Sequence, residues 1–258
     1  MNDLESKVNE LGKNKKPICD LLQEIMYLFF EKYVIEIKGK EIKPLWLEAY
    51  YYCDIFKDGN VHGSYDKYAQ EKQTGRFGQL YVHKNDWGID VCLSSGDYCL
   101  SLLVKCALIE KDGAYVFRSQ RQIGEDVCYE LCEMKDTCKS IKNCIYNEKN
   151  SKYVIKEKQG NPDKNCIFKT ARVGLKKDNN YSKYILAAFV FDEKYLKHYR
   201  WATGYGKQWT ISINSLFAKN GDMDSARISA NKLNRAKIGD DYWKSAKDFY
   251  EMYYKEAK

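Results

Sequence analysis

Apolar residues recur at helical spacing in the segment that follows Pro17. From Pro17 to about Val34 they return at helical spacing, and they include Ile18, Leu21, Leu22 and Ile25. Pro17 falls in the first turn, where a helix does not need the N–H that proline lacks. The pattern therefore predicts an amphipathic helix. Residues 1–16 before it are charged and end in a lysine-rich run, which predicts a flexible, basic and at most weakly helical start.

After Val34 the pattern changes to the alternation of apolar and polar residues that is typical of strands. Residues 34–37 alternate, 38–40 form a turn, and Ile42 to Tyr52 resembles a long strand, so this region predicts a hairpin. Further strand candidates, separated by polar or glycine-containing turns, are Gly78–His83, Gly88–Leu93, Tyr98–Glu110 and Tyr115–Phe117. The middle of the chain therefore predicts an antiparallel sheet.

The second half of the chain mixes both patterns. Residues 122–147, 225–236 and 241–257 have helical patterns, 166–173 is typical of a strand, and 192–201 is mixed and rich in tyrosine. We expect an α+β protein with a curved antiparallel β-sheet flanked by N- and C-terminal helices. With only 3 prolines in 258 residues and no long flexible linker, residues 17–258 are expected to form a single domain.

Charge and aromatic content permit a nucleic-acid partner without requiring one. The formal net charge is +7, and aromatic residues make up 14% of the chain. Basic residues form a nucleic-acid-binding surface only if they cluster on one face of the protein. Tyrosines are common both in ordinary strands and in surfaces that stack on bases, so their number does not distinguish the two.

The chain has 10 cysteines, but it opens without the charged segment and apolar run of a secretory signal. We therefore expect reduced thiols and a cytoplasmic, bacterial-type intracellular location. The longest apolar stretch, 25–30, is far shorter than the ~20 residues that a spanning helix needs, so no membrane role is expected.

Four of the cysteines lie close together in the sequence, at Cys128, Cys132, Cys138 and Cys144. They include no C-x-x-C pair, and their separations are wide for zinc or iron–sulfur ligands. This spacing favours buried or reduced thiols over a metal site, which remains the alternative. No metal or organic cofactor is expected.

General searches for phosphate-binding loops, dinucleotide-binding glycines, serine-nucleophile turns and zinc-binding helices find no motif. An ordered series of short segments is more informative. These are W-L-E-A-Y at 46–50, V-H-G-S at 61–64, G-Q-L-Y-V-H at 78–83, W-G-I-D-V-C-L-S at 87–94, L-L-V-K-C-A-L at 102–108 and A-R-V-G at 171–174.

In order and approximate spacing, the series resembles the alkyladenine (3-methyladenine) DNA glycosylase family. The corresponding family segments are E-T-E-A-Y, A-H-S, G-T-L-Y-V-Y, Y-G-M-Y-x-C-x-N, V-L-L-R-A-L and A-R-V-G. The resemblance covers roughly residues 34–110 and a short segment near 171, which is less than half of the chain.

The resemblance implies that Glu48 is a general base. Hydrolysis of an N-glycosidic bond passes through an oxocarbenium-like sugar, which a carboxylate assists both by deprotonating water and by its negative charge. Lys105 stands where the family has an arginine near this base, so it is expected to keep Glu48 ionised. Without the resemblance, Glu48 would be interpreted as an outward-facing strand residue or an ordinary salt-bridge partner.

The same resemblance assigns the remaining site residues. Tyr50 and His62 would hold the two faces of a flipped base, and His83 replaces a tyrosine that closes the pocket. Three further positions are Trp87, the wedge that enters the duplex, Ser94, which replaces a selectivity asparagine, and Arg172, the arginine of A-R-V-G. The alternatives are core packing for Tyr50 and Trp87, and ordinary surface or strand positions for the histidines and Arg172.

Several family features are missing, including the T-P-R-N segment, which Glu71–Arg76 replaces, and the G-P before the middle helix. We therefore expect a divergent, monomeric purine DNA glycosylase that acts on double-stranded DNA containing alkylated or deaminated purines. One alternative is a catalytically inactive module that binds nucleic acid or a small ligand. The other is an unrelated α+β protein whose segments match by chance.

Overall fold

A computed structural model gives the fold in the following residues: 2–13, 16–61, 76–83, 88–95, 98–127, 144–146, 153–158, 167–170, 172 and 186–190. The helices in these ranges are α1 (Asn2–Asn9), α2 (Ile18–Lys32) and α3 (Gln120–Glu125), with a short 3-10 turn at Leu11–Lys13. The strands are β1 (Tyr33–Ile37), β2 (Lys40–Cys53), β3 (Phe56–Lys57), β4 (Leu80–Val82), β5 (Ile89–Cys92), β6 (Cys99–Lys111), β7 (Ala114–Ser119), β8 (Cys144–Tyr146), β9 (Ile155–Glu157), β10 (Ile167–Thr170) and β11 (Ala187–Val190).

The strands form one curled antiparallel sheet. Its main order is β10-β11-β2-β6-β5-β4-β8, with β1 and β3 paired to β2, β7 to β6, and β9 to β1. The two long strands β2 and β6 run side by side in the centre, from Ile42 opposite Ile109 to Tyr52 opposite Cys99. The predicted α+β class is confirmed.

Helix α2 packs its apolar stripe against one face of this sheet. Leu22, Ile25 and Phe29 are buried in the same core as Leu47 of β2 and Val104 of β6. Burial of such side chains contributes roughly 1.5–3 kcal/mol each, so this contact fixes the helix on the sheet. The opposite face of the sheet carries the residues described below.

The start of the chain differs from the flexible segment that the sequence predicts. Helix α1 buries Leu4 and Val8, and the following turn buries Leu11. The Tyr98 hydroxyl donates a hydrogen bond of 3.1 Å to the Val8 carbonyl oxygen. These few apolar positions are enough to dock the helix, because tertiary burial outweighs a weak local helical tendency.

The predicted β1–β2 hairpin is present, with Lys38 and Gly39 both at positive φ (50° and 77°) as a two-residue turn requires. Helix α2 ends at Lys32, before the predicted Val34, because Tyr33 is already extended and pairs with Glu157 of β9. The prediction that residues 122–147 are mostly helical agrees with α3 as far as Glu125, residues 128–143 lie outside the described residues, and residues 144–146 form β8, which pairs with β4.

Strands β3, β9 and β11 have no counterpart in the sequence prediction. They are two to four residues long, which is too short for an alternating pattern to identify them. The predicted helices at 225–236 and 241–257, and the mixed segment 192–201, lie outside the described residues. None of the helices in the described ranges has the length and apolar composition that crossing a bilayer requires.

Candidate functional site

The two faces of the central strands differ in chemistry. In β2, Leu47, Ala49 and Tyr51 belong to the core beneath α2, so the alternate residues Glu48 and Tyr50 point to the opposite face. Residues directly opposite each other on paired strands share a face. Tyr50 of β2 pairs with Ser101 of β6, so these two side chains lie on the same face. Glu48 and Asp90 both pair with Leu103 of β6, one from each side, so they lie on this face as well. We call Glu48, Tyr50, Asp90, Ser101 and Lys105 the polar face.

Glu48 is at the centre of this face and has no exposed surface. The Tyr50 hydroxyl donates a hydrogen bond of 3.0 Å to Glu48 Oε2. The ammonium nitrogen of Lys105, also buried, lies 3.8 Å from the same oxygen. Glu48 therefore has a neutral hydrogen-bond donor and a cation beside the same carboxylate oxygen.

Tyr50 keeps its proton in this environment. Burial raises the pKa of the Tyr50 hydroxyl well above its usual value, and the nearby negative charge of Glu48 raises it further. The Tyr50 side chain is therefore a neutral phenol, and not a phenolate, beside the Glu48 carboxyl group. The hydroxyl acts as a fixed donor that orients Glu48.

Arg172 lies against the same tyrosine. Its guanidinium carbon is 4.7 Å from the centroid of the Tyr50 ring, within the range of a cation–π contact. One guanidinium nitrogen donates 3.2 Å to the Ala49 carbonyl oxygen and also bonds the Asp58 carboxylate. Arg172 and Asp58 are both fully buried at their side chains. These bonds therefore hold the Arg172 side chain against β2 and against Asp58, which follows β3.

Asp58 also organises the chain after β3. Its Oδ1 accepts a hydrogen bond of 3.0 Å from the Asn60 backbone and one of 2.8 Å from the Asn60 side chain. Sequence reasoning missed this residue. Asp-Gly-Asn at 58–60 is typical of a turn, but nothing local reveals a partner that lies 114 positions away.

His83 and Asp90 form a second polar group on this side of the sheet. His83 Nε2 lies 2.7 Å from Asp90 Oδ1, and the Ser101 hydroxyl donates 2.8 Å to Asp90 Oδ2. The His83 ring also meets the Tyr81 ring edge to face at 4.7 Å. Sequence reasoning missed Asp90, although its signal resembles that of Glu48, a carboxylate inside an otherwise apolar strand.

Ser94 lies between β5 and β6. Its hydroxyl donates 3.2 Å to the Leu100 carbonyl oxygen and accepts 3.0 Å from the Leu100 N–H. Ser94 therefore holds the end of β5 against the start of β6. His62 and Trp87 lie outside the described residues.

The described part of the chain contains no group of three or more His, Cys, Asp and Glu side chains placed to hold a metal ion. The cysteines at 128, 132 and 138, and the side chain of Cys144, lie outside that part. Cys19, Cys53, Cys92, Cys99 and Cys106, which lie in the described part, are reduced cysteines that form no disulfide bond.

No protein-family model matches this chain, and no curated protein matches it.

Proposed function

We propose that this protein is a monofunctional DNA glycosylase that removes damaged purines from double-stranded DNA by hydrolysis. The observation that supports this most strongly is the buried Glu48 carboxylate, with the Tyr50 hydroxyl at 3.0 Å and the Lys105 ammonium at 3.8 Å from the same oxygen. The segment L-E-A-Y that holds it is also the first segment of the resemblance.

Glu48 has the chemistry that the hydrolysis of an N-glycosidic bond requires. A carboxylate takes a proton from the attacking water and stabilises the positive charge that develops on the sugar. Burial strengthens both effects because the surrounding dielectric is low. Lys105 balances the charge of Glu48 before substrate binds, and Tyr50 fixes its orientation.

Tyr50 offers a flat ring on which an extruded purine can stack. Arg172 covers one side of this ring, at 4.7 Å from its centroid, and Tyr50 also packs in a buried cluster with Val61 and Leu103, so a stacked base would have to displace one of these neighbours. A base leaving the duplex loses its stacking, and a contact with one aromatic ring restores about 1–3 kcal/mol. His62 and Trp87 would supply the opposite wall and the wedge, as the resemblance implies.

The substrates we propose are alkylated or deaminated purines in a duplex, bound by a monomer through phosphate contacts. The net charge of +7 suits this partner. Neither metal nor organic cofactor enters the reaction.

The test is base release from defined lesions. Folded protein is incubated with separate duplexes that contain hypoxanthine, ethenoadenine or 3-methyladenine, and abasic sites are detected by alkaline cleavage. We expect abasic sites from at least one damaged duplex and none from the undamaged duplex of the same sequence. If folded protein binds the duplexes but releases no base, the proposal is wrong and the protein is a binding module.

A further inference from the structure

The Tyr50 ring is covered in the folded protein, so a purine can stack on it only after a neighbour has moved. Tyr50 keeps 8% of its surface exposed, and Glu48 keeps none. Val61 and Leu103 pack with Tyr50 in one buried cluster, and Arg172 lies over the ring at 4.7 Å. Which of these neighbours gives way depends on how firmly each is held.

Leu103 is fixed by the sheet. It lies in the middle of β6, opposite Glu48 of β2 on one side and opposite Asp90 of β5 on the other. A residue between two paired strands moves only when the sheet itself opens, and central strands are the last part of a fold to open. Leu103 therefore stays in place as long as the fold is intact.

Arg172 is held by a buried ion pair. Its guanidinium bonds the Asp58 carboxylate and donates 3.2 Å to the Ala49 carbonyl oxygen. The side chains of Arg172 and Asp58 are both fully buried. Separating such a pair leaves two uncompensated charges away from water, which is strongly unfavourable. Arg172 and Asp58 are therefore a second fixed element beside the ring.

Val61 is held less firmly, because it lies in a turn after β3 and belongs to no strand. Its N–H donates 3.1 Å to the Asp58 carbonyl oxygen, and the Asn60 backbone and side-chain nitrogens donate 3.0 and 2.8 Å to Asp58 Oδ1. Hydrogen bonds of this kind are exchanged for bonds to water at a small net cost. Gly59 joins Asp58 to Asn60 and has the backbone freedom that suits a hinge.

We propose that Gly59–Val61 is a lid over Tyr50, which swings away from the fixed Asp58 to admit the purine. This inference rests on the proposed function for the identity of what enters. Opening breaks the three hydrogen bonds to Asp58 and exposes the Val61 side chain, while Leu103 and the Arg172–Asp58 pair keep their places. The purine then packs on the ring where Val61 lay, so the substrate replaces the apolar contact that opening removes.

The first measurement follows the lid without any substrate. The Asn60 and Val61 N–H groups both bond Asp58, so amide hydrogen exchange, followed by NMR, reports when the lid leaves it. We expect both amides to exchange at least about 100-fold faster than those in the middle of β6. Urea below the unfolding transition should barely change their rates, since the lid exposes little surface when it opens.

Two valine variants separate lid opening from general instability. Val61→Ala should raise the exchange rates of the Asn60 and Val61 positions by about 10-fold, the effect of removing two buried methyl groups. Val104→Ala is the matched control, because it makes the same deletion in the core beneath α2. It should lower the stability of the protein and leave the exchange rates of the lid unchanged.

The second measurement asks whether the lid controls entry. Duplex affinity is measured by fluorescence anisotropy with Glu48→Gln in every protein, so that no base is released, and with the lesion that wild type releases fastest. A closed lid lowers the apparent affinity in proportion to the fraction of open molecules. Adding Val61→Ala should therefore tighten binding of the lesion duplex by about 10-fold and leave the affinity for undamaged duplex unchanged.

Asn60 and Val61 amides that exchange as slowly as those of β6, with the same urea dependence, would overturn the inference. So would a Val61→Ala protein whose lid exchanges faster but which binds the lesion duplex no more tightly, because opening would then not limit entry. The proposed function stands in both cases if wild type releases base. A folded wild type that releases no base from any damaged duplex overturns the proposed function and, with it, the purine as the occupant.

Discussion

The Arg172–Asp58 ion pair provides a stability test that is independent of any activity. The change is Asp58→Asn, which keeps the size of the side chain and its hydrogen bonds with Asn60 but removes its charge. Both partners of the pair are fully buried, so the variant leaves an uncompensated guanidinium beneath the surface. Breaking a buried pair in this way costs about 3–5 kcal/mol, a large part of the 5–15 kcal/mol that stabilises a typical domain.

The measurement is urea denaturation followed by tryptophan fluorescence and by circular dichroism, with the free energy of unfolding obtained by linear extrapolation. The matched control is Arg121→Gln, which breaks a 3.0 Å ion pair with Glu125 where the arginine side chain is 78% exposed. That change should cost less than about 0.5 kcal/mol. The double variant Asp58→Asn/Arg172→Met should recover part of the loss, because it removes the unpaired charge. If Asp58→Asn costs no more than the control, the pair is not buried in solution and this reasoning is refuted.

Three further predictions concern the site and its partner. Tyr50→Phe removes the hydrogen bond to Glu48 but keeps the ring. It should slow base release by roughly 10- to 100-fold, which is the effect of losing a hydrogen bond to a charged group. The control Tyr51→Phe, on the opposite face of the sheet, should leave the rate unchanged. Lys105→Met should lower the single-turnover rate, and Lys105→Arg should retain most of it because the balancing charge is kept; equal losses would contradict the electrostatic role. Affinity for an undamaged duplex, measured by fluorescence anisotropy, should fall steeply as salt rises, and a flat salt dependence would argue against phosphate contacts.

Much of the central fold could be predicted from the sequence, because strands β1, β2 and β6 are long enough to show alternation and are separated by clear turns. The short strands β9 and β11 could not, since their pairing is decided by the neighbours they meet in the folded protein. Helix α1 was expected to be flexible because its local tendency is weak, and only the tertiary burial of Leu4 and Val8 reveals it.

The candidate site, too, could be predicted only in part from the sequence. Glu48, Tyr50 and Lys105 could be selected because they lie in segments that resemble a known family, and the structure brings them together. Asp58 and Asp90 could not be selected, since their importance depends on Arg172 and His83, and sequence patterns do not show which distant side chains meet. Ser94 was selected for base selectivity, but its hydroxyl is engaged by Leu100.

The most direct test of the central claim compares two identical changes on one strand. Glu48→Gln removes the buried carboxylate, and Glu41→Gln changes a surface residue of β2 that bonds Tyr115 and lies seven positions away, about 23 Å along the strand. Under single-turnover conditions with the preferred lesion duplex, Glu48→Gln should slow release of the free base by about 10²- to 10⁴-fold, the range of general-base effects. Glu41→Gln should match wild type. Equal rates for Glu48→Gln and wild type would contradict the account.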